Sequence, residues 1–86
     1  MFYEIVIHKQ AKKKLSSLPL KQKIPIAEAI KALGLDPDDA TLDIKKLVGR
    51  VGFRMRVGSW RIIFERHDCF RIISIEKIGA RGDVYK

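Results

Sequence analysis

The chain is poor in cysteine, with Cys69 alone among 86 residues. One thiol excludes an intrachain disulfide framework and any zinc site built from several cysteines. Long apolar runs are also missing, since none approaches the roughly 18–20 residues that cross a bilayer. The first residues lack both the basic segment and the long apolar segment of a secretory signal. Together these absences predict a cytoplasmic protein without a membrane partner.

Acidic residues are scarce: ten Asp plus Glu stand against eighteen Lys plus Arg, a formal net charge of +8. Asp36, Asp38, Asp39 and Asp43 gather around Pro37, but their spacing lacks the sixth-position glycine and final glutamate of an EF-hand loop, which favours a solvated turn over a metal site. So large a positive charge on one small domain, residues 1–86, favours a polyanionic partner.

The two basic residue types are segregated along the chain. Every basic residue before position 49 is lysine, and all seven arginines follow it. Arginine binds phosphate through a planar fork of two hydrogen bonds, whereas lysine is a strongly hydrated point charge. The second half is therefore predicted to hold a phosphate and the first half to attract it. The alternative is that arginine merely decorates exposed strands.

The hydrophobic pattern predicts an α+β fold of order β-α-α-β-β-β. Residues 2–8 are typical of a strand and residues 9–18 of an amphipathic helix. A second helix, interrupted or begun at Pro25 and ended at Gly34, is predicted from one apolar stripe: Leu20, Ile24, Ala27, Ile30 and Leu33. Three further strands, at 53–57, 60–66 and 70–78, are joined by short links. We expect an antiparallel sheet with the helical hairpin packed on one face.

Two connecting segments are less regular. Residues 42–48 are expected to be extended or partly irregular, and Gly79–Gly82 to form a turn that brings Arg81 to the surface.

Strand alternation places Arg54 and Arg56 together on one face of the predicted sheet, away from the helices. Two neighbouring guanidinium groups repel each other unless an anion lies between them, and a nucleic-acid phosphate is the obvious candidate. Arg61 opens the next strand, and Tyr85 nearly ends the chain. A terminal tyrosine can stack on a base or transfer a proton, or it can close the hydrophobic core.

Three segments, in this order along the chain, give the sequence a resemblance to the RelE/ParE superfamily of toxins from toxin–antitoxin systems, and specifically to its RelE-like ribonucleases. They are Lys46-Leu47-Val48-Gly49, residues 53–64 (FRMRVGSWRIIF) and residues 78–85 (IGARGDVY). The early segments Ala11-Lys12-Lys13-Lys14-Leu15 and Leu18-Pro19 also fit, so the resemblance covers nearly the whole chain. It implies a metal-independent endoribonuclease without cofactors, which cleaves mRNA on the ribosome by attack of a 2′-hydroxyl on the adjacent phosphate.

The resemblance also assigns residues. It implies catalytic roles for Arg61, Arg81 and Tyr85. The RNA-binding residues it indicates are Arg54, Arg56, Lys46, Arg50 and Lys86. Arg54 and Arg56 stand where RelE itself often has lysine, and with a pKa above ~12 an arginine does not act as a base. The general base stays open, with Tyr85 the first choice and Glu65 and Glu76 behind it. Ala80 stands where many relatives carry His or Lys.

The partners that the resemblance implies are a cognate antitoxin, mRNA with the ribosome, and operator DNA in a higher-order complex. Two alternatives stay open. The chain could be a ParE-like inhibitor of DNA gyrase, which binds a protein and has no nuclease activity. It could also be a relative that only binds its antitoxin and DNA.

Overall fold

The structure is a computed structural model that describes residues 2–80. Two helices and five strands follow in the order β1 (Glu4–Ile7), α1 (Lys9–Ser17), α2 (Leu20–Leu35), β2 (Asp43–Lys46), β3 (Phe53–Val57), β4 (Trp60–His67) and β5 (Ile72–Ala80). The predicted α+β class with an N-terminal helical hairpin on a sheet is confirmed. Neither described helix is long and apolar enough to span a bilayer.

The sheet has the order β1-β5-β4-β3-β2. Strands β2 to β5 pair antiparallel, as expected of strands joined by short links, whereas β1 runs parallel to β5. The sheet is therefore mixed rather than purely antiparallel, because β1 is tied to the rest through helices and no hairpin fixes its direction. Residues 43–46, expected to be extended or partly irregular, form a fourth strand of the antiparallel part.

The β3–β4 hairpin has the bounds that the sequence predicts at its turn. Val57 pairs with Trp60, which leaves Gly58 and Ser59 as a two-residue loop. Gly58 has a φ of 59°, the positive value that such a tight hairpin turn requires at its first position. This turn fixes the register of β3 against β4, and the register decides which charged residues become neighbours.

The core lies between the helical hairpin and one face of the sheet. Helix α1 contributes Ala11, with Leu15 and Leu18 partly buried, as the sequence predicts. The stripe predicted for α2 is right at two of its five residues, because Ala27 is exposed as well as the first two. Ile30 and Leu33 are buried together with Ile26, but Leu20 and Ile24 are 68% and 46% exposed. The helix turns a second apolar strip outward, so the early members of the predicted stripe do not belong to the core.

Helix α2 contains Pro25, where it was expected to be interrupted or to begin, and passes Gly34, where it was expected to end. It begins at Leu20, five residues before Pro25, and ends at Leu35, after Gly34. Gly34 serves close packing instead. Its carbonyl accepts a hydrogen bond from the Tyr3 amide at 2.6 Å, and a Cβ there would lie 3.0 Å from Cγ1 of Ile5. Glycine is needed here because α2 meets β1 without room for a methyl group.

Strand β5 spans Ile72–Ala80, two residues farther along the chain than the predicted 70–78, and contains a bulge. Gly79 and Ala80, expected to begin a turn, pair with Arg61 and Trp60 of β4. The register between the two strands shifts at Ile63/Phe64. This displacement keeps the chain in the sheet beside Arg61, up to the last described residue.

A polar network closes the sheet end where β1 begins. Arg66 donates from Nε to Oδ1 of Asp68 at 2.8 Å and from Nη1 to Oδ1 of Asp38 at 2.9 Å. The Tyr3 hydroxyl donates to Asp68 at 2.9 Å, and its ring centroid lies 5.5 Å from Cζ of Arg66. The hydrogen bond to Asp38 is the main reason that the pKa of Arg66 is raised, and the hydrogen bond from Arg66 is the main reason that the pKa of Asp68 is lowered.

The aspartates around Pro37 form local turn contacts. Asp36 accepts the Asp38 amide at 3.0 Å, and Asp39 accepts both the amide and the hydroxyl of Thr41. The Thr41 amide is the main cause of the lowered pKa of Asp39. These are the contacts of a solvated Asx turn.

Candidate nucleic-acid interface

Strands β3 and β4 place three arginines on the sheet face that the helices leave open. Arg54 and Arg56 alternate with Met55, which is 1% exposed in the core on the other face. Arg61 is the direct cross-strand partner of Arg56. Partners in an antiparallel pair project from the same face with Cβ atoms about 4.5–5.5 Å apart. The structure therefore brings together the three described arginines that the sequence singled out on these strands.

Extending the register to the neighbouring strands gives two rows of side chains, which we call the arginine face. The first row is Asp43, Arg56, Arg61 and Gly79, and the second is Lys45, Arg54, Ile63 and Lys77. Five of these eight residues are basic and one is acidic. Like charges that face each other across strands destabilise the fold. An anion bound on this face would relieve that repulsion.

Arg61 is the buried arginine of the first row, with 7% of its surface exposed. Its Nη1 donates to the carbonyl of Trp60 at 3.2 Å. Within residues 2–80 this is the hydrogen bond that the guanidinium makes. A guanidinium carries five N–H donors, and a buried charge is costly unless it is paired. The remaining donors of Arg61 are thus suited to a bound anion.

Trp60 connects this arginine to the helices. Its carbonyl accepts from Arg61, while its ring lies under the Lys14 ammonium of α1, with 5.9 Å from Nζ to the ring centroid. The ring is partly buried against the core. A cation above an aromatic face is a favourable contact. The helical hairpin therefore helps to position the Trp60 carbonyl that accepts the hydrogen bond from Arg61.

A groove of about 400 Å³ opens where β2 leads into the β2–β3 loop, residues 47–52. It is lined by Lys45, Lys46, Leu47, Val48, Arg50 and Arg54. Lys46 and Arg50, predicted to bind RNA, thus meet Arg54 in one depression. Arg54 belongs both to the groove and to the second row, so the groove continues the arginine face.

Three predicted site residues, Arg81, Tyr85 and Lys86, lie outside the described residues. Conversely, sequence reasoning missed Asp43, Lys45 and Lys77 as neighbours of the arginines. Finding these three residues requires the strand register, because each lies beside the arginines only through cross-strand pairing with β3 or β4. Without β2 as a strand, Asp43 and Lys45 have no predicted partners.

The two carboxylates considered as general bases each lie beside a histidine. Oε2 of Glu76 is 3.6 Å from Nε2 of His8, and Oε1 of Glu65 is 4.0 Å from Nε2 of His67. Glu76 sits at the bulge of β5, next to Lys77 of the second row. Glu65 pairs with Ser74, farther along β4 from Arg61. Both carboxylates lie beyond the arginine rows.

Known proteins similar to this chain are named RelE or are chains of RelE–RelB and RelBE complexes. A protein of Methanocaldococcus jannaschii named "Putative toxin RelE1" is 34% identical over 88 residues, covering all of this chain and 98% of that protein. A chain of the archaeal RelE–RelB complex from Pyrococcus horikoshii OT3 is 32% identical with a TM-score of 0.80, covering 96% of this chain and 99% of that one. The toxin–antitoxin complex RelBE2 of Mycobacterium tuberculosis shares the fold, with a TM-score of 0.80 at 21% identity over 94% and 100% of the two chains. No protein-family profile matches the chain.

Proposed function

This chain belongs to the RelE family of toxins, and we propose that it is a metal-independent endoribonuclease that cleaves mRNA on the ribosome and is neutralised by a cognate antitoxin. The observation that carries the proposal is the first row of the arginine face. It pairs the exposed Arg56 with the buried Arg61, whose guanidinium has donors to spare for a phosphate.

The reaction needs positioning and charge stabilisation. The 2′-hydroxyl of one nucleotide loses its proton and attacks the adjacent phosphorus, and the P–O5′ bond then breaks. The products are a 2′,3′-cyclic phosphate and a 5′-hydroxyl that has gained a proton. The pentavalent state between them carries an additional negative charge on its equatorial oxygens. Fixed cations directed at that charge lower the barrier more than flexible ones, because they need no rearrangement during the reaction.

The candidate residues have different roles in this reaction. Arg61 stabilises the pentavalent phosphate, since its burial weakens the screening by water that would reduce its effect. Arg54 and Arg56 bind and orient the RNA backbone. Arg81, outside the described residues, supplies a second cation at the phosphate. Tyr85 stacks on a base or accepts the 2′-hydroxyl proton, with Glu65 and Glu76 as the alternative bases.

The positive charge of the arginine face also favours particular binding partners. The proposed antitoxin carries an acidic segment that covers the arginine face, in line with the complexes in which relatives are solved. A net charge of +8 favours association with an acidic chain or with RNA at long range. The site of action is then the cytoplasm, where translating ribosomes are, and the toxin–antitoxin complex binds operator DNA.

The test is primer extension on a translated mRNA with the wild type, Arg61→Ala and Lys31→Ala. Lys31 lies exposed on α2, away from the sheet's open face, so its loss changes the charge equally but not the site. We expect Arg61→Ala to lose on the order of 10²–10³ in cleavage rate and Lys31→Ala to keep it. Because Arg61 is buried, the exposed Arg56→Ala is measured beside it, with thermal unfolding as the check of folding.

Undiminished cleavage by both arginine variants would contradict the assignment. A supercoiling assay with DNA gyrase runs in parallel. Gyrase inhibition without mRNA cleavage would assign the chain to the ParE-like activity instead.

A further inference from the structure

The groove at the β2–β3 loop has a lining that a simple cation patch lacks. Four of its residues are basic, Lys45, Lys46, Arg50 and Arg54, and two are aliphatic, Leu47 and Val48. Val48 is 97% exposed, so its side chain is available to a ligand. Apolar surface beside several cations matches a ligand that carries both a phosphate and a flat, weakly polar ring.

The shape of the groove is fixed by the backbone of the loop. The Leu47 amide donates to the Gly52 carbonyl at 3.0 Å and closes the loop. Gly52 has a φ of 120°, and a Cβ there would lie 3.1 Å from the Phe64 carbonyl oxygen and 3.3 Å from Cδ1 of Leu47. Gly52 thus lies between the Phe64 carbonyl of β4 and the Leu47 side chain, and these contacts position Leu47 at the groove.

Lys45 and Lys46 leave β2 on opposite faces, since successive strand residues alternate. The groove therefore has basic residues from both faces of β2 in its lining. Arg54 lines the groove and also belongs to the arginine face, so one strand of RNA can contact both surfaces.

We propose that this groove holds one nucleotide of the RNA strand, next to the phosphate under attack, and that it sets the sequence preference of cleavage. The inference rests on the proposed function. The base lies on Leu47 and Val48, and Lys46 and Arg50 bind its phosphate. Arg54 joins this nucleotide to the one on the arginine face.

The size and chemistry of the groove select this occupant over a protein segment. About 400 Å³ lies at the small end of the roughly 300–1,000 Å³ typical of small-ligand sites, which suits one nucleotide but not a helix of an antitoxin. Its apolar floor is aliphatic and short, so the area covered differs between a purine and a pyrimidine. That difference gives a base preference without any hydrogen bond to a base edge.

Binding is tested with the full-length protein and short 2′-O-methyl RNA oligonucleotides, which cannot be cleaved because the nucleophile is blocked. Fluorescence anisotropy at 0.15 M NaCl compares Val48→Asp with Val51→Asp. Val51 is in the same loop and 79% exposed but does not line the groove, so it is a charge-matched control. We expect Val48→Asp to weaken binding at least tenfold and Val51→Asp less than threefold.

Salt dependence measures the phosphate contacts. Each phosphate contact to a single strand contributes about 0.7 to the slope of log affinity against log salt. The variant with both Lys46→Ala and Arg50→Ala is expected to lose about 0.7 of that slope, because both side chains contact the same phosphate. RNA 5′-end mapping with Val48→Ala and Val51→Ala then reads the preference, and only Val48→Ala should shift the distribution of cleaved sequences.

The outcomes separate this inference from the proposed function. Oligonucleotide binding that depends on Val48, in a protein that cleaves no RNA, supports the groove and rejects the nuclease. Cleavage with equal affinities and equal cleavage sites for the Val48 and Val51 variants overturns the groove and leaves the nuclease standing. Loss of affinity for the antitoxin, with RNA binding unchanged in Val48→Asp, would also overturn it, because the groove would then belong to the protein partner.

Discussion

Arg56 and Arg61 are direct cross-strand partners, one exposed and one buried, on the face of the sheet that carries no helix. This pairing has an energetic cost, because two like charges in register repel each other. Hydrophobic contacts on the other face of β3 and β4 hold the strands together regardless. The repulsion between Arg56 and Arg61 therefore destabilises the protein without a bound anion, and a bound anion reduces it.

The pairing predicts a specific response to divalent anions. Sodium sulfate should raise the melting temperature of the wild type more than sodium chloride does at the same ionic strength. Part of that rise is the general exclusion of sulfate from protein surfaces, and part is binding between the two guanidinium groups. Differential scanning fluorimetry should show the sulfate increment shrinking in Arg56→Gln and persisting in Lys31→Gln. Equal increments in both variants would mean that the pair binds no sulfate.

The network around Asp68 predicts how stability depends on acid. The hydrogen bond from Arg66 lowers the pKa of Asp68 below its ordinary value of 3.8. A carboxyl with a lowered folded-state pKa binds fewer protons when folded, so its stabilisation is present above the unfolded pKa and is lost as pH falls through the folded one. Urea midpoints between pH 6 and 2 should therefore fall less steeply for Asp68→Asn than for the wild type. Parallel curves for the two proteins would contradict this account.

At Gly34 the usual stabilising effect of a Gly→Ala substitution in a helix is expected to be reversed. In an exposed helix, Gly→Ala stabilises by about 1 kcal/mol. Here the added Cβ would lie 3.0 Å from Cγ1 of Ile5 and 3.2 Å from the carbonyl oxygen of Tyr3. We expect Gly34→Ala to destabilise by about 1–3 kcal/mol in urea unfolding. The same substitution in an Ile5→Ala background should cost less, since part of the obstruction is gone. A stabilised Gly34→Ala single variant would disprove the close approach.

Two glycines of the β2–β3 loop form a matched pair. Gly49 and Gly52 both have positive φ, 78° and 120°, but only Gly52 has neighbours that a Cβ would meet. Gly52→Ala should cost about 1–3 kcal/mol more than Gly49→Ala, since it adds contact with the Phe64 carbonyl to backbone strain. Chemical denaturation of both variants measures the difference. Equal costs would show that the loop can move away from β4.

Local rules account for much of this architecture. The β3–β4 hairpin follows from Gly58 and Ser59 alone, and alternation along β3 correctly assigns Arg54 and Arg56 to one face and Met55 to the other. These features depend on residues close together in sequence, so the sequence carries enough information to place them.

Features set by distant residues were predicted less well. On α2, the strip that contains Leu20 and Ile24 and the strip that contains Ile26 and Ile30 both have helical spacing, and only packing on the sheet chooses between them. Lys23 is half-buried one turn before Ile26, so the buried strip begins with a lysine. The hydrophobic pattern in the sequence therefore shows a shorter strip than the helix buries. The segment 42–48 was expected to be extended or partly irregular, but its pairing with β3 was not predicted, because three of the four residues of β2 are charged and lack an apolar alternation.

The division of β3 into a buried side and an arginine side has an evolutionary consequence. Met55 belongs to the core between the sheet and the helices, whereas Arg54 and Arg56 lie on the other face, outside the core cluster. Substitutions at exposed positions of the open side, such as Arg56, should therefore leave the scaffold folded while they change which partner it binds. Lineages sharing this scaffold can change targets through a few such substitutions on one surface, with the hydrophobic interior inherited intact.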